Sequence, residues 1–314
     1  MKKYSKKHFL IGAVAIAAIM LTPFLLKKIG YSYLIAIMVL VAIFGIVVVG
    51  FDLLVGYSGQ FSVAQPAFLG IGAYGSALLT TDLGFSPLLA LLISLLIASL
   101  VALILGYSTL RFKHFYLVLV TLAFGDIFYR VLLGFPNFTG GPAGVFVDSF
   151  SIFGFKFDTD TKFYYLAWAL AIGSYLLANN LVKSGWGRSL LALHDDDVAS
   201  GCMGINISRL KIEVFVISCA YASVGGSLFA HFLSYITPIQ FSVHMALDLI
   251  LMIFIGGVRT LWGGFIGVAI IKSLPEALEW FKDYRTLCSG TLLILIFIFM
   301  RRGIAGTLMR LWKK

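Results

Sequence analysis

An all-α polytopic membrane protein is the fold this sequence predicts, and three observations predict it. Apolar blocks long enough to span a bilayer recur along the chain. The composition is 60% hydrophobic and only 12% charged, with a mean hydropathy of +0.99, which leaves too little polar surface for a water-soluble globule of 314 residues. The basic residues fall in short clusters between the blocks, so the net charge of +10 reads as membrane topology and not as a nucleic-acid footprint.

The blocks lie at about 9–26, 33–55, 61–81, 86–109, 115–134, 163–182, 212–235, 246–262, 264–280 and 287–300. They predict about ten transmembrane or partly re-entrant helices, with 61–81 open to either reading. The basic start followed by an apolar run has the outline of a signal peptide. Residues 9–26 are nevertheless long enough to span, and no small-residue cleavage pattern follows before Lys27, so they are read as the first membrane helix. Lys2, Lys3, Lys6 and Lys7 precede that helix. Counting crossings from a cytoplasmic start puts Arg111, Lys113, the stretch 183–211, Arg259, Arg301, Arg302, Arg310, Lys313 and Lys314 on the same side. Both termini are therefore expected in the cytoplasm, and an outer loop at about 135–162 on the other side.

Between the second and third blocks, Pro66 is expected to break or kink a helix, while Gly70, Gly72 and Gly75 permit close packing. Ser58, Gln60, Ser62 and Gln65 place uncharged hydrogen-bonding groups at membrane depth, where irregular backbone survives only if buried or lining a cavity. They read either as the wall of a pathway, together with Gly59 and Thr121, or as side chains bonded to neighbouring helices. A second Gly-rich break, Gly256-Gly-Val-Arg-Thr-Leu-Trp-Gly-Gly, follows the eighth block. Among ionisable residues inside blocks, Asp126 and Arg130 are spaced to neutralise each other on one helix face. Asp52, Asp248, Glu276 and Glu279 fall near block ends, within reach of interfacial water, and Lys272 has a stem long enough to snorkel.

The stretch 183–211 is too long for a simple connector. Leu191, Val198 and Cys202 recur at helical spacing, and Trp186 and Gly187 punctuate the end of the preceding block. Asp195, Asp196 and Asp197 fit the start of a short helix, Gly204 fits the position just past its end, and Ser208 is placed to cap the next one. The segment reads as two short helices on the membrane surface, or as a solvated polar loop. In the outer loop, the turn cluster around Thr139, Gly140 and Gly141 offers a docking edge for an external partner, or a rigid turn with no such role.

Cys202, Cys219 and Cys288 have neither paired spacing nor a histidine set, so no disulfide framework and no metal site is expected. No Gly-x-x-x-x-Gly-Lys-Ser/Thr loop, His-Glu-x-x-His helix or Gly-x-Ser-x-Gly elbow occurs.

From about Phe51 to the tail, the sequence resembles the LivM-type permeases of bacterial branched-chain amino acid ABC importers. Four stretches carry the resemblance: Gly56-Tyr-Ser-Gly-Gln-Phe-Ser with Ala67-Phe-Leu-Gly-Ile-Gly-Ala-Tyr; Leu119-Val-Thr-Leu-Ala-Phe-Gly-Asp with Thr139-Gly-Gly-Pro; Gly187-Arg-Ser-Leu-Leu-Ala-Leu with Asp197-Val-Ala-Ser-Gly-Cys-Met-Gly; and the break at Gly256. Asp126 stands where a glutamate is usual, Ala143 where an asparagine is usual, Val198 at a glutamate position and Arg259 at a glycine position. The resemblance implies a single permease domain over 1–314 that translocates leucine, isoleucine and valine across the bacterial inner membrane. It also implies a coupling segment, with Arg188, Asp195, Asp196, Asp197, Ala199, Ser200 and Gly204, seated in an ATPase groove. The implied partners are two ATP-binding cassette subunits that use ATP and Mg, a homologous second permease, an extracytoplasmic binding protein and membrane lipid; no cofactor is bound by this chain itself. Urea or short amides are the alternative solutes. An ion-coupled secondary transporter is the alternative class, against which stands the lack of a carboxylate relay across the blocks.

Overall fold

In lipid, every backbone N–H and C=O must be bonded within the protein, so a single segment that crosses alone does so as a helix. The computed structural model describes residues 20, 22–24, 33–109, 114–152, 155–277 and 303–312. Most of 9–26, all of 287–300, Arg111, Lys113, Glu279, Cys288, Arg301, Arg302 and the last two lysines lie outside the described residues, as do the side chains of Glu276 and Arg310.

The blocks from 33–55 to 264–280 each hold one long helix: α1 (Tyr33–Asp52), α2 (Gln65–Thr81), α3 (Pro87–Thr109), α4 (His114–Gly134), α5 (Asp160–Lys183), then α8 (Ile207–Leu233), α9 (Val243–Gly256) and α10 (Leu261–Ala277). Two short helices, α6 (Gly185–Asp195) and α7 (Asp197–Cys202), fill the polar stretch, and α11 (Gly303–Trp312) follows α10. Among the described residues, five helices are long and apolar enough to cross a membrane, spanning Tyr33–Tyr57, Pro87–Ser108, Tyr116–Gly134, Asp160–Lys183 and Ile207–Leu233. Helices α2, α9 and α10 are shorter.

Pro66 does not break its helix. It stands in the first turn of α2, where a missing N–H costs no intrahelical bond. The chain before it, from Ser58 to Ala64, is irregular and largely buried. At the far end of α2, the Thr81 hydroxyl donates to the Phe146 carbonyl of the 135–162 loop, so α2 reaches the loop end of the bundle.

Helix α1 is apolar all round, as a helix buried among others must be, and packs against α5, α8 and α10. Along the seam between α2 and α8 the two backbones approach closely. A side chain at Gly72 would strike the backbone of Ser223, and one at Gly226 the backbone of Leu69. Small residues at both points let the helices touch, the usual source of helix adhesion where lipid removes the hydrophobic drive.

The loop end also carries four two-residue strands that an all-helical reading of the sequence misses. β1 (Val145–Phe146) pairs antiparallel with β4 (Tyr235–Ile236), and β2 (Ser151–Ile152) with β3 (Phe155–Lys156). The first pair stitches the 135–162 loop to the chain leaving α8, and the Tyr235 hydroxyl donates to the Ala143 carbonyl beside it.

Candidate functional site

The polar stretch folds as two short helices, and some of its parts play other roles than their spacing suggests. Gly185 opens α6 directly after α5, so Trp186 and Gly187 begin a helix instead of ending one. The Trp186 indole donates to Glu213 Oε2 at 2.9 Å, tying α6 to α8, and Gly187 lies against the Val182 backbone where no side chain fits. Leu190 and Leu193 bury the inner face of α6. Leu191 packs against the same core, whereas Val198 and Cys202 are exposed. The expected single face fails because the helix breaks at Asp196, which resets the period.

The three aspartates separate into three functions. Asp195 ends α6, and its Oδ1 lies 3.7 Å from Arg259 Nη2. Asp196 adopts extended backbone and caps α7, its Oδ1 accepting from the N–H groups of Val198 at 2.8 Å and Ala199 at 3.0 Å. Asp197, in the first turn of α7, accepts from Lys211 Nζ at 2.5 Å. Replacing Asp196 by alanine should cost about 1 kcal/mol of local stability. The expected readout is faster amide exchange confined to α7; unchanged exchange would remove the capping role.

Ser200 is buried, while Arg188 and Ala199 face outward, and the Arg188 guanidinium reaches the Lys183 carbonyl at 3.5 Å. Gly204 has φ +80°, the left-handed conformation expected just past a helix. The cap of α8 is Asn206, whose Oδ1 accepts from Arg209 N at 3.1 Å. Ser208 is already helical and cannot serve, since a capping residue needs extended backbone.

Behind this segment, α1 ends in a π-helical turn, Leu53–Tyr57, and the first break begins. Ser58 Oγ donates to the Leu54 carbonyl at 2.7 Å and accepts from Gln60 Nε2 at 3.1 Å. Ser62 Oγ accepts from Ala64 N at 3.3 Å, and Gln65 Nε2 donates to Ser218 Oγ at 2.8 Å. Thr121 Oγ1 accepts from Val63 N at 3.1 Å while donating into its own helix, to the Leu117 carbonyl. All five side chains are buried. The Oε1 atoms of Gln60 and Gln65 have no hydrogen-bond partner among the described residues. Ser58 and Gly59 alone of the six pathway candidates reach a cavity of about 380 Å³, shared with Leu193, His194, Asp195, Asp196 and Asp197. Its mouth is carboxylate-rich.

Arg259, which the sequence marks as a topology cation and a departure from a glycine position, joins the two breaks. Its φ is +65°, the left-handed region that favours glycine. Its N–H donates to Asp52 Oδ1 at 2.9 Å, its Nε donates to the Gly56 carbonyl at 2.9 Å, and its carbonyl accepts from the Tyr57 hydroxyl at 3.1 Å. Asp52 is 2% exposed and does not reach interfacial water as its place near a block end suggested. It is the acceptor that fixes the second break to the first. Lys272 holds its ammonium 3.9 Å from the centre of the Phe44 ring, a cation–π contact inside the bundle.

At the loop end, Thr139 Oγ1 donates to the Leu132 and Phe135 carbonyls, at 2.5 and 2.9 Å, and accepts from Gly141 N at 3.3 Å. Gly140 at φ +68° and Gly141 at φ +55° complete a rigid turn fastened to the last turn of α4. A buried chain that sequence spacing did not reveal lies nearby. Ser227 Oγ donates to Ser76 Oγ at 2.9 Å, Ser76 Oγ lies 2.9 Å from His231 Nε2, and His231 Nδ1 lies 2.7 Å from the Asp148 carbonyl. A carbonyl only accepts, so Nδ1 carries the proton and Nε2 accepts from Ser76. This chain ties the 135–162 loop to α2 and α8.

A bundle with five long apolar spans among the described residues and a polar helix pair at one end defines a multi-pass, mainly helical membrane protein. The family model described as branched-chain amino acid transport system / permease component matches residues 33–299, and the chain belongs to that family. It is similar to the high-affinity branched-chain amino acid transport system permease protein LivM of Escherichia coli (strain K12), 28% identical over 323 residues that cover 95% of this chain and 75% of LivM. The corresponding LivH of the same strain is 33% identical over 127 residues, covering 39% of this chain and 40% of LivH. A probable branched-chain amino acid transport permease protein LivH of Methanocaldococcus jannaschii is 26% identical over 272 residues, covering 80% and 84%. No solved structure matches the chain.

Proposed function

We propose that this chain is the LivM-type permease subunit of an ATP-driven importer that carries leucine, isoleucine and valine into the bacterial cytoplasm. The observation that carries this reading is membership of the branched-chain amino acid permease family over residues 33–299. In this reading the chain crosses the inner membrane about ten times as one domain, with both termini and the 183–211 segment in the cytoplasm and the 135–162 loop outside. It binds no cofactor. ATP and Mg are used by two separate cassette subunits, a homologous second permease completes the pathway, and an extracytoplasmic binding protein docks at Thr139, Gly140 and Gly141.

The exposed side chains of Val198, Cys202 and Met203 suit α7 and its flank to the groove of a cassette subunit. Asp195, Asp196 and Asp197, with Arg188, Ala199, Ser200 and Gly204, give that handle its shape. Its rear contacts, Asp195 with Arg259 and Trp186 with Glu213, offer a path for a push to reach α1, α8 and the second break. Ser58 and Gly59, backed by Gln60, Ser62, Gln65 and Thr121, then form the inner end of the solute pathway.

Mild-detergent purification from the native membrane is the test of class. A nucleotide-binding subunit and a second permease should co-purify. Isolation of the chain alone, with gradient-driven uptake in vesicles free of ATP, would establish a secondary transporter instead. For the handle, Asp197→Arg and Gly204→Arg should each abolish uptake and cassette association while membrane insertion stays normal. Asp197→Arg replaces an attraction to Lys211 by a repulsion, and Gly204→Arg forces a side chain into left-handed backbone. Normal uptake in both variants would sink the coupling assignment.

A further inference from the structure

Helix α4 has a packed face and an open face. Leu117, Thr121 and Leu132 are buried, and the Phe124 ring lies 5.6 Å from that of Phe68 on α2. The other face carries Leu119, Ile127 and Val131, all exposed, and among them the pair Asp126 and Arg130. Arg130 Nε donates to Asp126 Oδ2 at 2.7 Å, and the two side chains are 75% and 42% exposed. Both lie within the apolar span Tyr116–Gly134. At 1.5 Å per residue, Arg130 lies about 6 Å and Asp126 about 12 Å along the axis from the end of α4. The open face of α3 contrasts with this one. Its exposed Leu89, Leu92, Leu96, Leu100 and Leu103 are purely apolar, as a lipid-facing surface should be.

A charged pair on the surface of a membrane span is costly against hydrocarbon, and such residues face a bundle interior or a water-filled passage. The pair on α4 therefore assigns its open face to a polar passage. The bond between the two side chains occupies only Nε of the guanidinium and one carboxylate oxygen. The terminal guanidinium nitrogens remain to bind a carboxylate, and the other Asp126 oxygen remains to accept from an ammonium. A solute with both groups on one carbon presents them as close together as the two partners of this pair. The pair also lies just inside the Thr139 turn, which is bonded to the carbonyl of Leu132 one half-turn beyond Arg130.

We propose that Asp126 and Arg130 form a recognition site for zwitterionic α-amino acids on the outer half of the passage, with the solute carboxylate on Arg130 and its ammonium on Asp126. The proposal rests on the reading of the chain as an importer permease. Because the pair offers one positive and one negative group side by side, it binds a net-neutral solute without adding a net charge to the passage. A purely structural pair would only neutralise itself.

The double variant Asp126→Asn/Arg130→Gln separates these roles, because it leaves no lone charge in the membrane. In proteoliposomes holding the complete importer and its binding protein, leucine uptake by this variant should fall about tenfold or more. The ATP hydrolysed per leucine moved should rise in the same proportion, with the complex still intact on gel filtration. Uptake and coupling equal to those of the unmodified importer would show a self-neutralising pair and overturn the proposal. Loss of the second permease from the purified complex would also overturn it, since the face would then be an interface between chains. Failure of the unmodified complex to move branched-chain amino acids would instead strike the proposed function itself.

Discussion

A Gly226→Leu variant should fail to accumulate in the membrane. The α2–α8 seam places the Leu69 backbone where the new Cβ must go, and the Ser223 backbone blocks Gly72 in the same way. Overpacking against a flexible side chain is relieved by a rotamer change, but a helix backbone has no such freedom. The two helices must separate along their length, which costs roughly 4 kcal/mol or more, the range of the largest single-residue effects. Gly72→Leu should behave alike. Gly173→Leu on α5 is the control, because nothing lies within 4 Å of a Cβ there. Membrane-fraction abundance and thermal stability in detergent are the measurements. Wild-type levels of Gly226→Leu would mean that α2 and α8 do not meet through their glycines.

The second large effect is expected at the junction of the two breaks. Asp52→Leu leaves the part-buried Arg259 N–H without its acceptor, a loss of about 1–3 kcal/mol. At Arg259 the direction depends on the replacement. Glycine relieves a left-handed backbone worth about 1–2 kcal/mol. That gain offsets the lost bond to the Gly56 carbonyl, about 1 kcal/mol net for a partly exposed group. Alanine loses the bond and keeps the strain. Arg259→Gly should therefore melt close to wild type and Arg259→Ala clearly below it. Both should expose the α6–α7 segment to protease faster, since both free Asp195 from its cation. Equal melting temperatures for the two variants would show that the backbone at 259 is not held left-handed.

The positions of the long helices were legible because a bilayer leaves the chain few choices. A run of apolar residues long enough to span must bond its own backbone, so hydropathy alone locates α1, α3, α4, α5 and α8 to within a few residues. The i,i+4 spacing of Asp126 and Arg130 likewise foretold their ion pair. Gly204 was legible because only a helix end asks for left-handed backbone at that point. Local signals failed where two residues compete for one task. Asn206 took the cap from Ser208, and Leu191 lies on a different helix from Val198 and Cys202, so their common spacing marked no common face.

By itself, then, the sequence determined a multi-pass helical protein of the branched-chain amino acid permease family, because span length and short motifs are local properties of the chain. Only the tertiary structure decided that Asp52 and Arg259, 207 residues apart, join the two breaks. It alone showed that Val145–Phe146 pairs with Tyr235–Ile236, and that Asp126 and Arg130 stand on an open helix face. Those outcomes depend on which surfaces meet when helices pack, and helix packing is fixed by the fit of distant side chains and backbones, which no periodicity along one segment encodes.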